Sequence, residues 1–185
     1  MGHDPRTMKL LAISGSLRAA SLNSALLRTF QRLAPAGVDV QLCTLVGDLP
    51  LFNPDLEADL PLSVLALQAQ IARADALLIA SPEYAHGVTG AIKNLLDWLV
   101  SFEPFVNKPV AVLNASPRAH HADAALRETL TTMSAVIVEA ASVSIPLLGS
   151  GLSEAAMAGD PAVVEAIKTS LAALSATVTR VDHQG

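Results

Sequence analysis

Three short, almost continuously apolar runs restrict this chain more than any other feature: residues 9–14 (KLLAIS), 76–80 (ALLIA) and 110–113 (VAVL). None alternates between apolar and polar residues, so both faces of each run are expected to be covered. That is the pattern of a central strand in a parallel sheet. Between the runs lie segments of helical period. Leu26, Leu27, Phe30, Leu33 and Ala34 form one stripe and Val64, Leu67 and Ile71 a second. Ile92, Leu95, Leu96 and Leu99 form a third, residues 122–133 give a fourth helix, and Val164, Ile167, Leu171 and Leu174 mark the last. Asp160-Pro161 opens that last helix, with Asp as cap and Pro in the first turn.

Strands and helices thus alternate, which predicts an α/β fold. Two further strands alternate in polarity: Val38, Val40 and Leu42 face away from Asp39 and Gln41, and Val143 and Ile145 alternate with Ser142 and Ser144. Residues 136–145 are read as supplying the last strand or strands. Alternation marks a half-covered edge. Three central strands between two edges give a flavodoxin-like three-layer sandwich with a five-stranded parallel sheet of order 2-1-3-4-5. No repeat, linker or composition shift divides the 185 residues, so a single domain over 1–185 is expected, with 1–7 as a disordered tail.

Composition narrows the partners. Charged residues make up only 16% of the chain, which suits a sheet covered on both faces and extra surface buried between subunits. The net charge is −5 and no run of Lys or Arg occurs, so no nucleic-acid partner is expected. Cys43, the only cysteine, rules out an intramolecular disulfide and cannot alone hold an iron–sulfur cluster or structural zinc. No signal-peptide h-region follows the first seven residues, and no uninterrupted apolar stretch reaches membrane-spanning length. The expectation is a cytoplasmic protein with no signal peptide and no membrane partner.

In an open parallel sheet, ligands bind beyond the carboxyl ends of the strands, near the switch point between strands one and three. Three loops matter there: residues 14–23, 81–90 and 114–121. The first joins a buried strand to a helix, aiming free N–H groups and a positive helix end at one point. Ser16, Ser21 and Asn23 add side-chain donors. Arg18 adds a permanent charge able to bond a phosphate through two parallel N–H groups. An ordinary capped helix start, with Ser21 or Asn23 as cap, stands beside this reading. Neither G-x-x-x-x-G-K-[ST] nor G-x-G-x-x-G is present, which argues against a P-loop or a dinucleotide Rossmann site. In the second loop Gly87 and Gly90 permit close approach of a flat ring to the backbone. Tyr84 either shapes that pocket or is a half-buried loop aromatic. Trp98, beside the third stripe, reads as core or interface packing. His86, His120 and His121 fall in two of the loops without metal-ligand spacing, so no metal is expected. Asp97, Glu103 and Asp123 read as solvated or interface charges, and Cys43 as inert.

Gly15-Ser16-Leu17-Arg18-x-x-Ser21-x-Asn23, then Ser81-Pro82-Glu83-Tyr84, then Gly90-x-x-Lys93-Asn94-x-x-Asp97-Trp98, each following a buried strand, resemble the NADPH-dependent FMN reductase family. The resemblance runs from about Lys9 to the last helix. It implies a flavodoxin-like fold, bound FMN, NADPH or NADH as hydride donor, and a homodimer or homotetramer. By position it assigns Ser16, Arg18, Ser21, Leu22 and Asn23 to the FMN phosphate. Pro82, Glu83, Tyr84 and Ala85 would line the isoalloxazine, with Ser116 contributing from the third loop. Lys93, Asn94 and Asp97 would lie on the helix that commonly serves the dimer interface. Two departures concern the acceptor. The third loop (Ser116-Pro117-Arg118-Ala119-His120-His121) is bulkier than the glycine-rich loop of many members, and Ala85 replaces the Asn often found after the Tyr.

The implied activity is hydride transfer from NAD(P)H through FMN to a flavin, quinone or similar small molecule. The flavin carries the chemistry, so no catalytic side chain is named. Two rivals remain at this point: a flavodoxin-type electron carrier and a flavin-binding regulatory module without turnover. Flavodoxins are typically more acidic, lack the loop arginine and stack aromatics on both ring faces. This chain has one Trp, one Tyr and four Phe, few for such a sandwich.

Overall fold

The computed structural model describes residues 6–116 and 118–182. Of the tail expected over residues 1–7, the first five lie outside the described residues, as does Pro117 of the third loop; Arg6 pairs with Asp75.

The five strands are β1 (Met8–Ser14), β2 (Val38–Leu42), β3 (Ala76–Ala80), β4 (Pro109–Leu113) and β5 (Val136–Ile137). They form one parallel sheet of order β2-β1-β3-β4-β5, as the strand patterns predict. The helices are α1 (Leu22–Leu33), α2 (Leu62–Arg73), α3 (Gly90–Asp97), α4 (His120–Thr132), the short α5 (Glu154–Met157) and α6 (Pro161–Asp182).

Because successive strand residues point to opposite faces, each apolar run feeds two cores. Leu10, Ala12, Leu78 and Leu113 pack with Phe30 of α1 and Ile167 and Leu174 of α6. Leu11, Ile13, Leu77, Ile79 and Val112 pack with Leu67 and Ile71 of α2, Leu95 of α3 and Leu126 of α4. Burying each such large side chain contributes about 1.5–3 kcal/mol, which is why the central strands tolerate no polar alternation. Asp160 caps α6 as expected, its Oδ1 accepting from the Ala162 and Val163 N–H groups at 3.0 Å each. Residues 161–180 of α6 have the length and mean hydropathy (1.3) of a spanning segment. The helix carries Glu165 and Lys168, and Val163, Ile167, Leu171 and Leu174 are buried against the sheet.

The fifth strand departs from expectation. Val143–Ile145 does not form a strand: Ser144 makes only an isolated parallel bridge to Asn114, and β5 is the two residues Val136–Ile137. The cause is a single turn of 3-10 helix at Glu139–Ala141. Ser142 Oγ fixes that turn, donating to Val138 O at 3.0 Å and accepting from Val112 N–H at 3.0 Å. Ser170 of α6 clamps it from below through Ala141 O at 2.6 Å. A side-chain hydroxyl thus stands in for a ladder bond at Val112, while Asn114 keeps backbone bonds to Val143 and Ile145.

Trp98 is a core residue. It is 2% exposed, donates Nε1–H to Pro50 O at 2.8 Å and meets Phe52 edge-on at 5.0 Å. Asn94 of α3 grips the same loop from both sides, accepting from Phe52 N–H and donating to Pro50 O.

Candidate functional site at the carboxyl edge of the sheet

The first loop leaves β1 at Ser14, whose Oγ bonds Ser24 Oγ at 2.8 Å and accepts from Ser16 N–H. Ser21 caps α1, accepting weakly from Ser24 N–H at 3.4 Å. The capped-helix reading of this segment is therefore correct as local structure. Capping leaves the anion-binding capacity intact. Among the described residues, the Leu22 and Asn23 N–H groups in the first turn of α1 have no acceptor. That turn carries no acidic residue to satisfy the helix dipole. Asn23 is 8% exposed, and its Oδ1 is buried without a hydrogen-bond partner. A buried, unpaired amide oxygen is costly, and amide oxygen and nitrogen exchange places by a simple flip. The group is thus poised for a ligand. Arg18 is exposed; its N–H donates to Ser16 Oγ at 3.4 Å, and among the described residues no ion pair or hydrogen bond engages its guanidinium.

Gly15 brings the first and second loops into van der Waals contact. A Cβ there would lie 2.2 Å from Ser81 Oγ and 2.6 Å from Ser81 Cβ. Gly15 N–H donates to Ala80 O at 2.8 Å, and Gly15 O accepts from Thr89 Oγ1 at 2.6 Å. Thr89 also caps α3 through Ile92 N–H. Sequence reasoning passed over Thr89, although a Thr directly before a helical stripe is an N-cap signal.

The second loop turns sharply at residues 84–87. Tyr84 and Gly87 exchange backbone hydrogen bonds, with Ala85 at φ 50° and His86 at φ 60°. Positive φ at both central positions is the type I′ geometry, which favours Asn-Gly. Ala85 and His86 are therefore held in the left-handed region at a cost of about 1 kcal/mol or more each. Ala85→Asn is expected to raise stability by about 1 kcal/mol, measured as a shift in the urea midpoint without a change in slope. Tyr84 stands 58% exposed beside this turn.

Glu83 ties the second loop to the third. Its Oε2 accepts from Ala122 N–H at 3.0 Å. The sequence places the start of α4 at Ala122; the helix begins earlier, at His120. Its N-cap residue Ala119 supplies no side-chain cap, and Glu83 does so from outside. That bond holds the Glu83 carboxyl below its ordinary pKa against the opposing effect of desolvation, helped by the His121 N–H and by the charges of His121 and His86. A depressed carboxylate contributes stability above the unfolded value of about 4.3, and loses it as pH falls through the lower folded value. Glu83→Gln is expected to melt below wild type at pH 7, with the gap closing on acidification below pH 4.

Leu22 and Asn23 of the first loop, Pro82 and Glu83 of the second, and Ser116 and Arg118 of the third line one cavity of about 250 Å³. Five of the ten residues assigned from the sequence thus share one wall. Ser16 lies on the other side of the first loop, in a cavity of about 210 Å³ with Leu17 and Cys43. Arg18, Ser21, Tyr84 and Ala85 line neither. Burial pushes the Cys43 thiol up, which keeps it protonated and unreactive. A larger cavity, about 500 Å³, opens at the opposite end of the sheet around Met8, Gly37, Asp75 and Lys168. Volume alone does not locate the site: the unpaired helix-start amides and the buried Asn23 oxygen lie at the carboxyl edge. Among the described residues no group of His, Cys, Asp and Glu is arranged to hold a metal ion.

The model of the NADPH-dependent FMN reductase family matches residues 8–148. The chain is similar to the NAD(P)H-dependent FMN reductase PA1204 of Pseudomonas aeruginosa, 44% identical over 112 residues, or 59% of this chain and 60% of that protein. A quinone reductase of Escherichia coli K12 is 35% identical over 113 residues, with the same shares covered. The chain thus spans about 60% of the length of these curated relatives. Among solved structures, the flavoenzyme NAD(P)H:(acceptor) oxidoreductase FerB of Paracoccus denitrificans superposes with a TM-score of 0.76 at 28% identity, covering 94% of this chain and 98% of that one. A flavodoxin from Pseudomonas aeruginosa, at TM-score 0.58 and 18% identity over 91% of this chain and 99% of that one, shares the fold. A match over most of the chain, on a flavodoxin-like sheet whose carboxyl-edge loops converge on one cavity, settles the matter: the chain belongs to the NADPH-dependent FMN reductase family.

Proposed function

We propose that the chain is an FMN-dependent NAD(P)H oxidoreductase that reduces a quinone, a free flavin or a similar small acceptor. The observation carrying this reading is the donor-rich start of α1, with its unpaired amides and buried Asn23 side chain, opening onto the cavity where the three loops meet. Family membership and the names of its relatives support it.

Bound FMN supplies hydride acceptance from reduced nicotinamide and its return to the acceptor. The chain binds and orients. Arg18, the hydroxyls of Ser16 and Ser21, the Leu22 and Asn23 amides and the Asn23 side chain hold the phosphate. Pro82, Glu83, Tyr84 and Ala85 would line the ring, with Ser116 contributing from the third loop. Thr89 and Glu83 fix the spacing of the loops. Steady oxidation of NADPH by the purified protein with a quinone, and bleaching of the flavin bands on anaerobic NADPH addition, are the expected results. A protein that binds FMN but turns over only when a redox partner is supplied would be a carrier. One that stays colourless after incubation with FMN would overturn the reading.

The proposal includes a homodimer or homotetramer. Leu51 is 83% exposed between two residues that bond α3, and Leu62 is 84% exposed. A large apolar side chain as exposed as Leu51, on the loop that α3 holds through Asn94, suits a surface covered by a second copy. A cytoplasmic home fits a reaction that draws on NAD(P)H.

A further inference from the structure

Three exposed imidazoles meet beside Glu83 and Arg118, two residues that line the cavity, and flavin binding as proposed above requires none of them. His86, from the strained turn of the second loop, stacks on His121 of α4 with ring centroids 4.5 Å apart and planes 27° apart. His121 in turn lies 4.1 Å from His120. His120 Nδ1 sits 3.2 Å from Arg118 O, and Arg118 lines the cavity. Its guanidinium has no ion pair among the described residues. The acids nearby are already engaged: Glu83 by the start of α4, Asp123 by Arg127 at 2.7 Å. A chain of net charge −5 therefore gathers a guanidinium, three imidazoles and a helix N-terminus at one rim. The left-handed φ of His86 belongs to the turn that carries its ring. The turn would be more relaxed with glycine there, yet the conformation as it stands delivers the ring onto His121.

We propose that Arg118, His86, His120 and His121 form a selection site for flat aromatic acceptors bearing an anionic substituent such as a sulfonate or carboxylate. The stacked imidazoles offer a planar face to the acceptor ring. The guanidinium and the ring N–H groups bond the anion. These residues do no redox chemistry: the quinone takes up a hydride originating in NAD(P)H and one proton from solvent, giving the hydroquinone. The proposal rests on the reading that the adjoining cavity houses FMN and reduces quinones.

The test compares 1,4-naphthoquinone with its 2-sulfonate on the FMN-loaded enzyme. In His121→Ala and in His86→Gly, KM for the sulfonate is expected to rise about tenfold, the size of one lost hydrogen bond to a charged group. KM for the neutral quinone is expected to rise only about twofold, for the lost stacking face. Glycine at 86 accommodates the turn, so that variant separates ring loss from misfolding. Equal changes for both quinones, or no change for either, overturn the selection site while leaving the oxidoreductase reading intact. Failure of the wild-type protein to reduce either quinone overturns the oxidoreductase reading and the selection site with it.

Discussion

Gly15→Ala is expected to abolish tight FMN binding and to destabilise the fold by about 1–3 kcal/mol, the cost of forcing extra atoms into a packed contact. The new methyl would overlap Ser81 Oγ at 2.2 Å and Ser81 Cβ at 2.6 Å, with Ser81 Cα at 3.2 Å. Rotating the serine hydroxyl away relieves the first overlap only. The backbone cannot retreat cheaply either, because Gly15 is bonded on one side to Ala80 O and on the other to Thr89 Oγ1. The first and second loops must part, and the residues assigned to phosphate and ring then lose their mutual spacing. Urea unfolding and titration of flavin fluorescence measure the two effects. FMN affinity at the wild-type level would show that the close approach is not needed for the cofactor.

Arg18→Ala is expected to separate the two effects: weaken FMN binding about 10- to 100-fold, the worth of a hydrogen bond to a charged group, while leaving stability within about 0.5 kcal/mol. Arg18 is exposed and engages nothing among the described residues through its side chain, so its removal breaks no contact in the free protein. Arg18→Lys should fall between the two, keeping the charge and losing the two-pronged geometry. Equilibrium dialysis with FMN at low and moderate salt measures the loss, and the alanine variant should show the shallower salt dependence. An unchanged dissociation constant would remove Arg18 from the phosphate site.

The central sheet was legible because β3, β4 and the stretch of β1 between Lys9 and Ser14 are covered on both faces, so those runs hold only apolar residues. The last edge was not. Val143 and Ile145 alternate like a strand, yet the path there is set by Ser142 bonding Val138 and Val112 and by Ser170 bonding Ala141. No periodicity encodes such distant hydroxyl bonds. The loops of the site could be read because their position after buried strands and their residue types follow general rules. What joins them could not. Glu83 caps a helix that starts near residue 120, and the only hint in the sequence is that α4 has no capping side chain of its own. The turn at Ala85 and His86 was hidden for a related reason: neither is the residue that a positive φ favours.

The bonds from Thr89 to Gly15 O and from Glu83 to Ala122 N–H, with the stack of His86 on His121, make the three loops one mechanical unit. Remodelling any of them to accept a bulkier oxidant would be transmitted to the other two. Laboratory evolution of this chain toward the binding of bulkier molecules should accordingly collect its changes in pairs, one on each side of a tie.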